Sequence, residues 1–184
     1  IPSQINGKNV TRIGRDAFYG KYNLTSVTLP NTLTYIGDNA FYLCSNLTSI
    51  SIPAGVSKID TSAFGNCASL ASITFPTVST TIETECFENC AFTSITIPAN
   101  VTKIGYRAFI SCNNLTTLKV NSSNTVYDSR SNCNAIIESD NNTLIQGCST
   151  TRVPSDVTAI ADNAFSGMRQ LTSISIPASV NSIG

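Results

Sequence analysis

A motif that ends in Ala-Phe returns along this chain at a nearly constant interval, and no other feature limits the fold as strongly. Successive copies of its phenylalanine lie 22 or 23 residues apart, except that the last copy follows after 56 residues. A repeat of this length predicts stacked units with one shared core, because a unit this small cannot bury its apolar side chains alone. The six phenylalanines are Phe18, Phe41, Phe64, Phe87, Phe109 and Phe165.

Composition and charge narrow the function classes. The 184 residues carry 11 basic and 11 acidic side chains, and the charged fraction of 12% is about half of that in a typical soluble protein. No basic patch favours nucleic-acid binding, and no apolar run approaches the ~20 residues that insert across a membrane. The low charge favours a secreted or cell-surface protein. Because the sequence starts and ends inside the repeat, we expect it to be a piece of a longer array.

Histidine is absent from the chain. This removes the commonest general base, the commonest metal ligand and the usual partner of a serine or cysteine nucleophile. The carboxylates are scattered over different repeats, without the spacing of a calcium loop or a carboxylate pair suited to a glycosidase. The sequence therefore predicts a protein that is not an enzyme and that binds no metal and no cofactor.

The first part of each repeat has the pattern of a short strand. In residues 47–53 the alternation predicts that Ile50 and Ile52 face the core, and that Ser49 and Ser51 face solvent. Proline ends the strand because it cannot donate to a sheet ladder. Since the register recurs, we expect successive copies to pair as a parallel sheet. The equivalent apolar positions are Leu24/Val27/Leu29, Leu70/Ile73/Phe75, Phe92/Ile95/Ile97, Leu115/Leu118/Val120 and Leu171/Ile174/Ile176.

The second part of each repeat contains a turn and a short apolar segment. Ala63, Cys67 and Leu70 lie at i, i+4 and i+7, which predicts one or two helical turns opposite the strands. The turn position before this segment is glycine in several copies but Asp60 or Glu83 in others. Because Glu83, and Ala161 in another copy, tolerate a left-handed backbone poorly, we expect no positive φ at this position.

The full repeat, L-T-S-[IV]-x-[IL]-P-x-x-[VL]-x-x-I-G-x-x-A-F-x-x-C, resembles the BspA-like class of leucine-rich repeats over essentially the whole chain. The resemblance implies a right-handed leucine-rich repeat solenoid of the α/β class, rich in β-structure. It implies a parallel sheet of short strands on the concave side and turns with short helical segments on the other. It also implies a bacterial cell-surface or secreted protein, and a role in adhesion. Residues 1–184 are then a single solenoid domain.

The period is interrupted at residues 121–153. Two short β-type runs, 135–137 and 143–145, flank the turn-rich tetrapeptide 139–142, which predicts a β-hairpin. This resembles the hairpin-bearing variant repeat of the same family. One alternative is an insertion that projects as a binding rim. The other is an irregular unit that only continues the stack.

The seven cysteines fall into three groups. Four share one repeat position, which predicts a buried ladder of thiols and not a metal site, because the thiols are spread along the stack. Cys86 takes the place of the alanine before Phe87. Cys133 and Cys148 lie on either side of the hairpin, where both a disulfide and two free thiols are open alternatives. The ladder residues are Cys44, Cys67, Cys90 and Cys112.

The solvent-facing side of the strands is the candidate ligand-binding surface, and the resemblance implies that it is the concave face. Its hydroxyl rows suit a protein or a glycan, or they are a solvated sheet surface made of good strand formers. No aromatic side chain interrupts the rows, so large anchoring residues are absent there. The candidates are Ser26, Thr28, Ser49, Ser51, Ser72, Thr74, Ser94, Thr96, Thr117 and Lys119, and the last copy adds Ser173 and Ser175.

The tyrosines form a second set of candidate contact residues, and partly buried packing positions are the alternative for them. They are Tyr19, Tyr22, Tyr35, Tyr42, Tyr106 and Tyr127.

Two function hypotheses remain. The first is a non-enzymatic bacterial surface module for adhesion and protein binding. The resemblance extends this to host extracellular-matrix proteins, since some members of the family are associated with fibronectin and fibrinogen. The alternative is a structural spacer that presents another domain on the cell surface. Ice or mineral binding is disfavoured, because serine is common where threonine would be required.

Overall fold

The computed structural model describes residues 1–184 as a series of short strands joined by turns. Its contacts divide the chain into one unit of Ile1–Ala91 with Asn100–Phe109 and another of Phe92–Ala99 with Ile110–Gly184. The strands are β1 Gln4–Ile5, β2 Lys8–Asn9, β3 Arg12–Ile13, β4 Tyr35–Ile36, β5 Ser49–Ser51, β6 Lys58–Ile59, β7 Ser72–Thr74, β8 Thr80–Ile82, β9 Ser94–Ile97, β10 Val101–Ile104, β11 Thr117–Val120, β12 Tyr127–Asp128, β13 Ala135–Glu138, β14 Thr143–Gly147, β15 Ala159–Ile160 and β16 Ser182–Ile183.

The first unit is a stack of β-solenoid turns. Its main sheet is parallel, in the order β10-β8-β6-β4-β3, so each coil adds one strand beside the strand of the coil before it. A second parallel pair, β5 and β7, occupies the other strand position of the coil, and β1 pairs with β2 antiparallel. Parallel strands joined by a full coil are the pattern expected for stacked repeats.

The core of the first unit is a column of phenylalanine rings. Neighbouring rings from Phe18 to Phe109 stack with centroids 5.0, 5.2, 5.6 and 5.5 Å apart and interplanar angles of 1° to 13°. Four of the five side chains are fully buried, and Phe18 is half-buried. The column predicted from the repeat is confirmed in this unit. Phe165 lies in the other unit, where it packs against the cluster around Ile137 and Leu144.

The predicted helical segments are wrong. The only helix is a 3-10 helix at Arg130–Asn132 in the irregular unit, and the segment around each phenylalanine is a series of turns. The residue two before the phenylalanine and the residue two after it both have positive φ, as in Asn39 (51°) and Leu43 (60°) around Phe41. A helix cannot continue through two left-handed residues, so the i, i+4 pattern marks inward-facing turn residues.

Hydrogen bonds between coils explain this conformation. Along the turn segment every second backbone N–H donates to the following coil, as Phe41 does to Ala63 at 2.7 Å, and those between donate within the coil, as Tyr42 does to Asn39. Directly after each strand of the main sheet, the backbone N–H donates to the preceding coil, as that of Asp60 does to Ile36 at 2.9 Å. Each coil is therefore tied to both neighbours, and the turn backbone keeps its N–H groups satisfied without forming a helix.

The repeat glycine was correctly predicted to need no positive φ. Gly37 and Gly105 lie outside the left-handed region, but a side chain at Gly105 would begin 2.4 Å from the backbone nitrogen of Thr84. At Gly105 the close approach of the preceding coil therefore leaves no room for a side chain. Asp60 takes the same place in its repeat, and its backbone N–H donates to the carbonyl of Ile36 in the preceding coil.

The second unit contains the predicted hairpin. β13 and β14 pair antiparallel, and β14 continues into a parallel pairing with β15, which pairs in turn with β16. Ala135, Ile136, Ile137 and Leu144 are fully buried. The hairpin is therefore a member of the sheet and does not project from it, which favours the alternative of a unit that continues the stack. β9 and β11 form a separate parallel pair.

Two of the predicted strands, 24–29 and 171–176, are not strands in the structure. The first receives one backbone hydrogen bond from the next coil, from Thr48 to Thr25, at 3.3 Å. The second forms none between residues 172 and 176. A strand exists only when a partner accepts its hydrogen bonds, and the alternating pattern specifies the faces of a strand without supplying that partner.

The structure contains no helix with the length and apolar character needed to span a bilayer. That residues 1–184 form a single domain, and that the solenoid is right-handed with a concave strand side, stay predictions.

Candidate functional site

In the first unit the structure places the candidate hydroxyl residues on the exposed side of the strands. Ser49 pairs with Ser72 and Ser51 with Thr74 in the register of β5 and β7. All four are exposed, whereas Ile50 between them is only 3% exposed. Ser26 and Thr28 are also exposed, although their segment forms no strand.

In the second unit the corresponding pairs are Ser94 with Thr117 and Thr96 with Lys119, on β9 and β11. Ser94, Thr96 and Lys119 are exposed, and Thr117 is half-buried. The amino group of Lys119 is the only charge among the ten candidates. Hydroxyl groups both donate and accept hydrogen bonds, which suits them to amide groups or sugar hydroxyls.

A groove in the second unit lies between residues 149–153 and 172–177 and has a volume of about 560 Å³. It includes Ser173 and Ser175 from the predicted set. Its other wall, with Thr150 and Arg152, comes from the irregular unit and could not be assigned from the repeat register. Arg152 is the one charged residue in the lining, and it forms no ion pair.

The main sheet of the first unit carries a polar cluster centred on the buried side chain of Asp60. Arg12 lies over the ring of Tyr35 at 3.8 Å, and the Tyr35 hydroxyl donates to Asp60 at 2.6 Å. Lys58 donates to the same carboxylate oxygen at 3.0 Å, and the backbone N–H of Thr61 donates to its other oxygen. Burial raises the pKa of Asp60, but these hydrogen bonds outweigh it and hold the pKa at about 2.

The same hydrogen bonds act on the partners of Asp60. The bond to the carboxylate raises the pKa of the Tyr35 phenol and the pKa of the Lys58 ammonium. Asp60 is therefore anionic and fully engaged at neutral pH, so this cluster is a structural network and offers no free acid or base.

The tyrosines separate into exposed and buried members. Tyr19, Tyr22 and Tyr106 are about half exposed. Tyr42 is half-buried and stacks on Tyr19 at 5.4 Å. The prediction is wrong for Tyr127, which is 3% exposed, because it belongs to β12 and pairs with Glu138 of the hairpin.

All seven cysteines are buried free thiols, including Cys133 and Cys148. In the ladder the thiols of Cys44, Cys67 and Cys90 donate to a phenylalanine carbonyl of the preceding coil, as Cys67 does to Phe41 at 3.2 Å. Burial raises the pKa of Cys67 to about 12, so the thiol is neutral and unreactive. The predicted buried ladder is confirmed.

Comparisons with known proteins agree with this architecture. A family model described as BspA type leucine rich repeat region matches six copies, over residues 3–116, 34–139 and 138–184. A comparison with curated protein sequences gave no match. A leucine rich cell surface protein from Faecalibacterium prausnitzii is 34% identical, with a TM-score of 0.83 over 97% of this chain and 49% of that chain.

Two further solved structures support the same assignment. A leucine-rich repeat protein from Bacteroides ovatus is 30% identical, with a TM-score of 0.73 over 100% of this chain and 46% of that one. A leucine rich repeat protein from T. pallidum is 32% identical, with a TM-score of 0.66 over 100% of this chain and 71% of that one. The chain thus spans about half the length of the first two relatives. It belongs to the BspA-type leucine-rich repeat family and is homologous to bacterial leucine-rich repeat cell-surface proteins.

Proposed function

We propose that this chain is a protein-binding and adhesion module of a bacterial surface or secreted protein, and that it contacts its partner through the hydroxyl-bearing strand residues. The observation that carries the proposal is the pairing of exposed hydroxyls across β5 and β7, Ser49 with Ser72 and Ser51 with Thr74. A sheet surface with small side chains lets a partner approach closely, and the hydroxyls supply hydrogen bonds in either direction.

One relative supports the proposed location, since it is described as a leucine rich cell surface protein. Because large aromatic anchors are absent from the hydroxyl residues, a single module binds weakly, and a longer array gains by avidity. Host extracellular-matrix proteins such as fibronectin and fibrinogen are the proposed partners, and host glycans are the second class.

The experiment is a binding panel with matrix proteins and host glycans, measured by surface plasmon resonance on the intact chain. In the variant with Ser51→Glu and Thr74→Glu, two large charged side chains occupy paired positions on β5 and β7 and block the approach of a partner. We expect binding to fall at least tenfold. Ala68→Glu is the matched control, because Ala68 is exposed on the turn side and its substitution leaves binding unchanged. If the native chain binds none of the matrix proteins and none of the glycans, the proposal is refuted.

A spacer that presents another domain is the second candidate. The tight coil-to-coil hydrogen bonding favours it, because a stiff stack holds a neighbouring domain at a fixed distance. The same panel separates the two, since a spacer binds no ligand and is unaffected by substitution of Ser51 and Thr74.

A further inference from the structure

The groove between residues 149–153 and 172–177 carries a positive charge that the chain does not neutralise. Its lining contains one charged residue, Arg152, which is exposed and forms no ion pair. A guanidinium group presents five N–H donors in a fixed fork and accepts no hydrogen bond. The unpaired guanidinium therefore favours a ligand group that is negatively charged and accepts hydrogen bonds.

Hydroxyl groups complete the donor set of the groove. Thr172, Ser173 and Ser175 line one wall and are exposed, and their hydroxyls form no hydrogen bond within the chain. On the other wall the hydroxyl of Thr150 is already used, because it donates to the carbonyl of Thr116 at 2.6 Å. The groove thus offers a guanidinium on one wall and three free hydroxyls on the other.

A second cation lies near this groove, on the hydroxyl-bearing side of β11. Lys119 is exposed and, like Arg152, forms no ion pair. The segment that carries Arg152 is tied to the residues just before β11, because the N–H of Ser149 donates to the carbonyl of Leu115 at 3.2 Å. Among the candidate residues and the groove lining of the second unit there are therefore two cations and no carboxylate.

The carboxylates of the second unit are not paired with these two cations. Asp128 and Asp156 both form ion pairs with Arg130. Asp156 also lines a neighbouring cavity with Arg152, but its 2.8 Å contact with Arg130 offsets its charge. The remaining carboxylates lie at the hairpin or in a turn segment, and they are Glu138, Asp140 and Asp162.

The shape and lining of the groove favour a carboxylate of a protein over a sugar. Its volume of about 560 Å³ falls within the ~300–1,000 Å³ of small-ligand sites, so an acidic side chain fits. The lining contains no aromatic ring on which a sugar could stack. A planar guanidinium matches the two oxygens of a carboxylate in a bidentate pair.

We propose that the groove between residues 149–153 and 172–177 is a carboxylate-binding site, which takes an acidic side chain from an exposed segment of a partner protein. Arg152 binds the carboxylate, the hydroxyls of Ser173 and Ser175 donate to it, and Lys119 attracts a second acidic side chain of the same segment. Because both cations are exposed, salt screens this attraction. The proposal rests on the proposed protein-binding function and names the chemistry of the partner segment.

The test uses the intact chain and a fluorescein-labelled peptide, Gly-Ser-Asp-Ser-Asp-Ser-Gly with an amidated C-terminus, titrated by fluorescence anisotropy at low salt. In the double variant Arg152→Gln with Lys119→Gln both charges are removed, and we expect the affinity to fall at least tenfold. A peptide with asparagine in place of both aspartates lacks the carboxylates, and we expect it to bind the native chain at least tenfold more weakly.

Arg169→Gln is the matched control for the loss of charge. Arg169 is an exposed cation of the same unit, lies in a turn segment and forms no ion pair. We expect the affinity of this variant to stay within twofold of the native value. Thermal unfolding verifies that all variants fold, as expected for substitutions of exposed side chains.

Three outcomes overturn the proposal. The first is equal binding by the native chain and the double variant, or no binding by either. The second is equal binding of the aspartate and asparagine peptides, which shows that charge is not recognised. The third is hyaluronan that binds at least tenfold more tightly than the peptide and loses this affinity in the double variant, which assigns the groove to an acidic glycan.

The same measurements separate this inference from the proposed function. If the peptide does not bind while matrix proteins still bind the native chain, this inference is refuted and the proposed function stands. If the peptide binds as expected but no matrix protein and no glycan does, the carboxylate site stands and the proposed adhesion function is refuted.

Discussion

The hydroxyl of Tyr35 donates a 2.6 Å hydrogen bond to the carboxylate of Asp60 on the next coil. The carboxylate also receives Lys58 and the N–H of Thr61, and its pKa of about 2 is below the ordinary value of 3.8. A carboxyl whose pKa is depressed by folding stabilises the native state above its unfolded pKa, and this stabilisation is lost as the pH falls through the folded pKa.

The first prediction follows from this linkage. Between about pH 4 and pH 2 the native chain loses on the order of 1–2 kcal/mol of unfolding free energy through Asp60. Asp60→Asn is less stable at pH 7 and shows a smaller loss over the same interval. Urea denaturation at a series of pH values measures both. Parallel pH profiles for the two proteins would contradict the role given to Asp60.

The second prediction concerns the phenylalanine column. Phe64→Ala removes a fully buried ring that stacks on both neighbours, Phe41 and Phe87, and we expect a loss of about 3–5 kcal/mol of unfolding free energy. Phe18→Ala removes a half-buried ring with one stacked neighbour and costs less. Equal losses of unfolding free energy in the two variants, measured by chemical denaturation, would show that the stacked column does not stabilise the core.

The third prediction concerns the left-handed turn positions. Gly167 has φ of 76°, and a side chain there would begin 2.7 Å from the Cα of Ser111. We expect Gly167→Ala to destabilise the fold by about 2 kcal/mol or more, through backbone strain and the clash. Gly55→Ala is the control, since its backbone is not left-handed and its nearest contact is 3.4 Å; its melting temperature stays within a few degrees of the native value.

The fourth prediction concerns the thiols. All seven are buried, and burial raises the pKa of Cys44 and of Cys133 as well as that of Cys67. We expect less than one equivalent of a thiol reagent to react with the native chain at pH 8 and seven to react in denaturant without a reductant. A stoichiometry of five in non-reducing denaturant would indicate one disulfide and would contradict the seven free thiols.

The core could be predicted because identical coils place equivalent apolar side chains above one another. Phe41 and Phe64 must meet if their coils stack, and the alternation in 47–53 specifies that Ile50 points inward. The turn conformation could not be predicted, because Leu43 and Glu85 have no preference for positive φ and adopt it only when hydrogen bonds to the next coil hold it.

The candidate site shows the same division. The outward direction of Ser49 and Ser51 follows from a period of two. The groove does not, because one wall comes from the irregular residues 149–153, which have no repeat register. The second wall repeats residues 47–53 letter for letter, so no property of the sequence of 171–177 could distinguish a paired segment from an unpaired one.

The opposed directions of hydrogen bonding in the first unit have a mechanical consequence. The turn segment of each coil donates to the following coil, and the residue after each main-sheet strand donates to the preceding coil, so we expect a pull on the chain to break the bonds of the end coil before it loads the next one. The coils of this unit then detach one at a time, and each release of 22 or 23 residues lengthens the chain by about 70 Å. A surface protein built in this way yields to flow in steps and absorbs work at each one, while the coils not yet reached keep their structure.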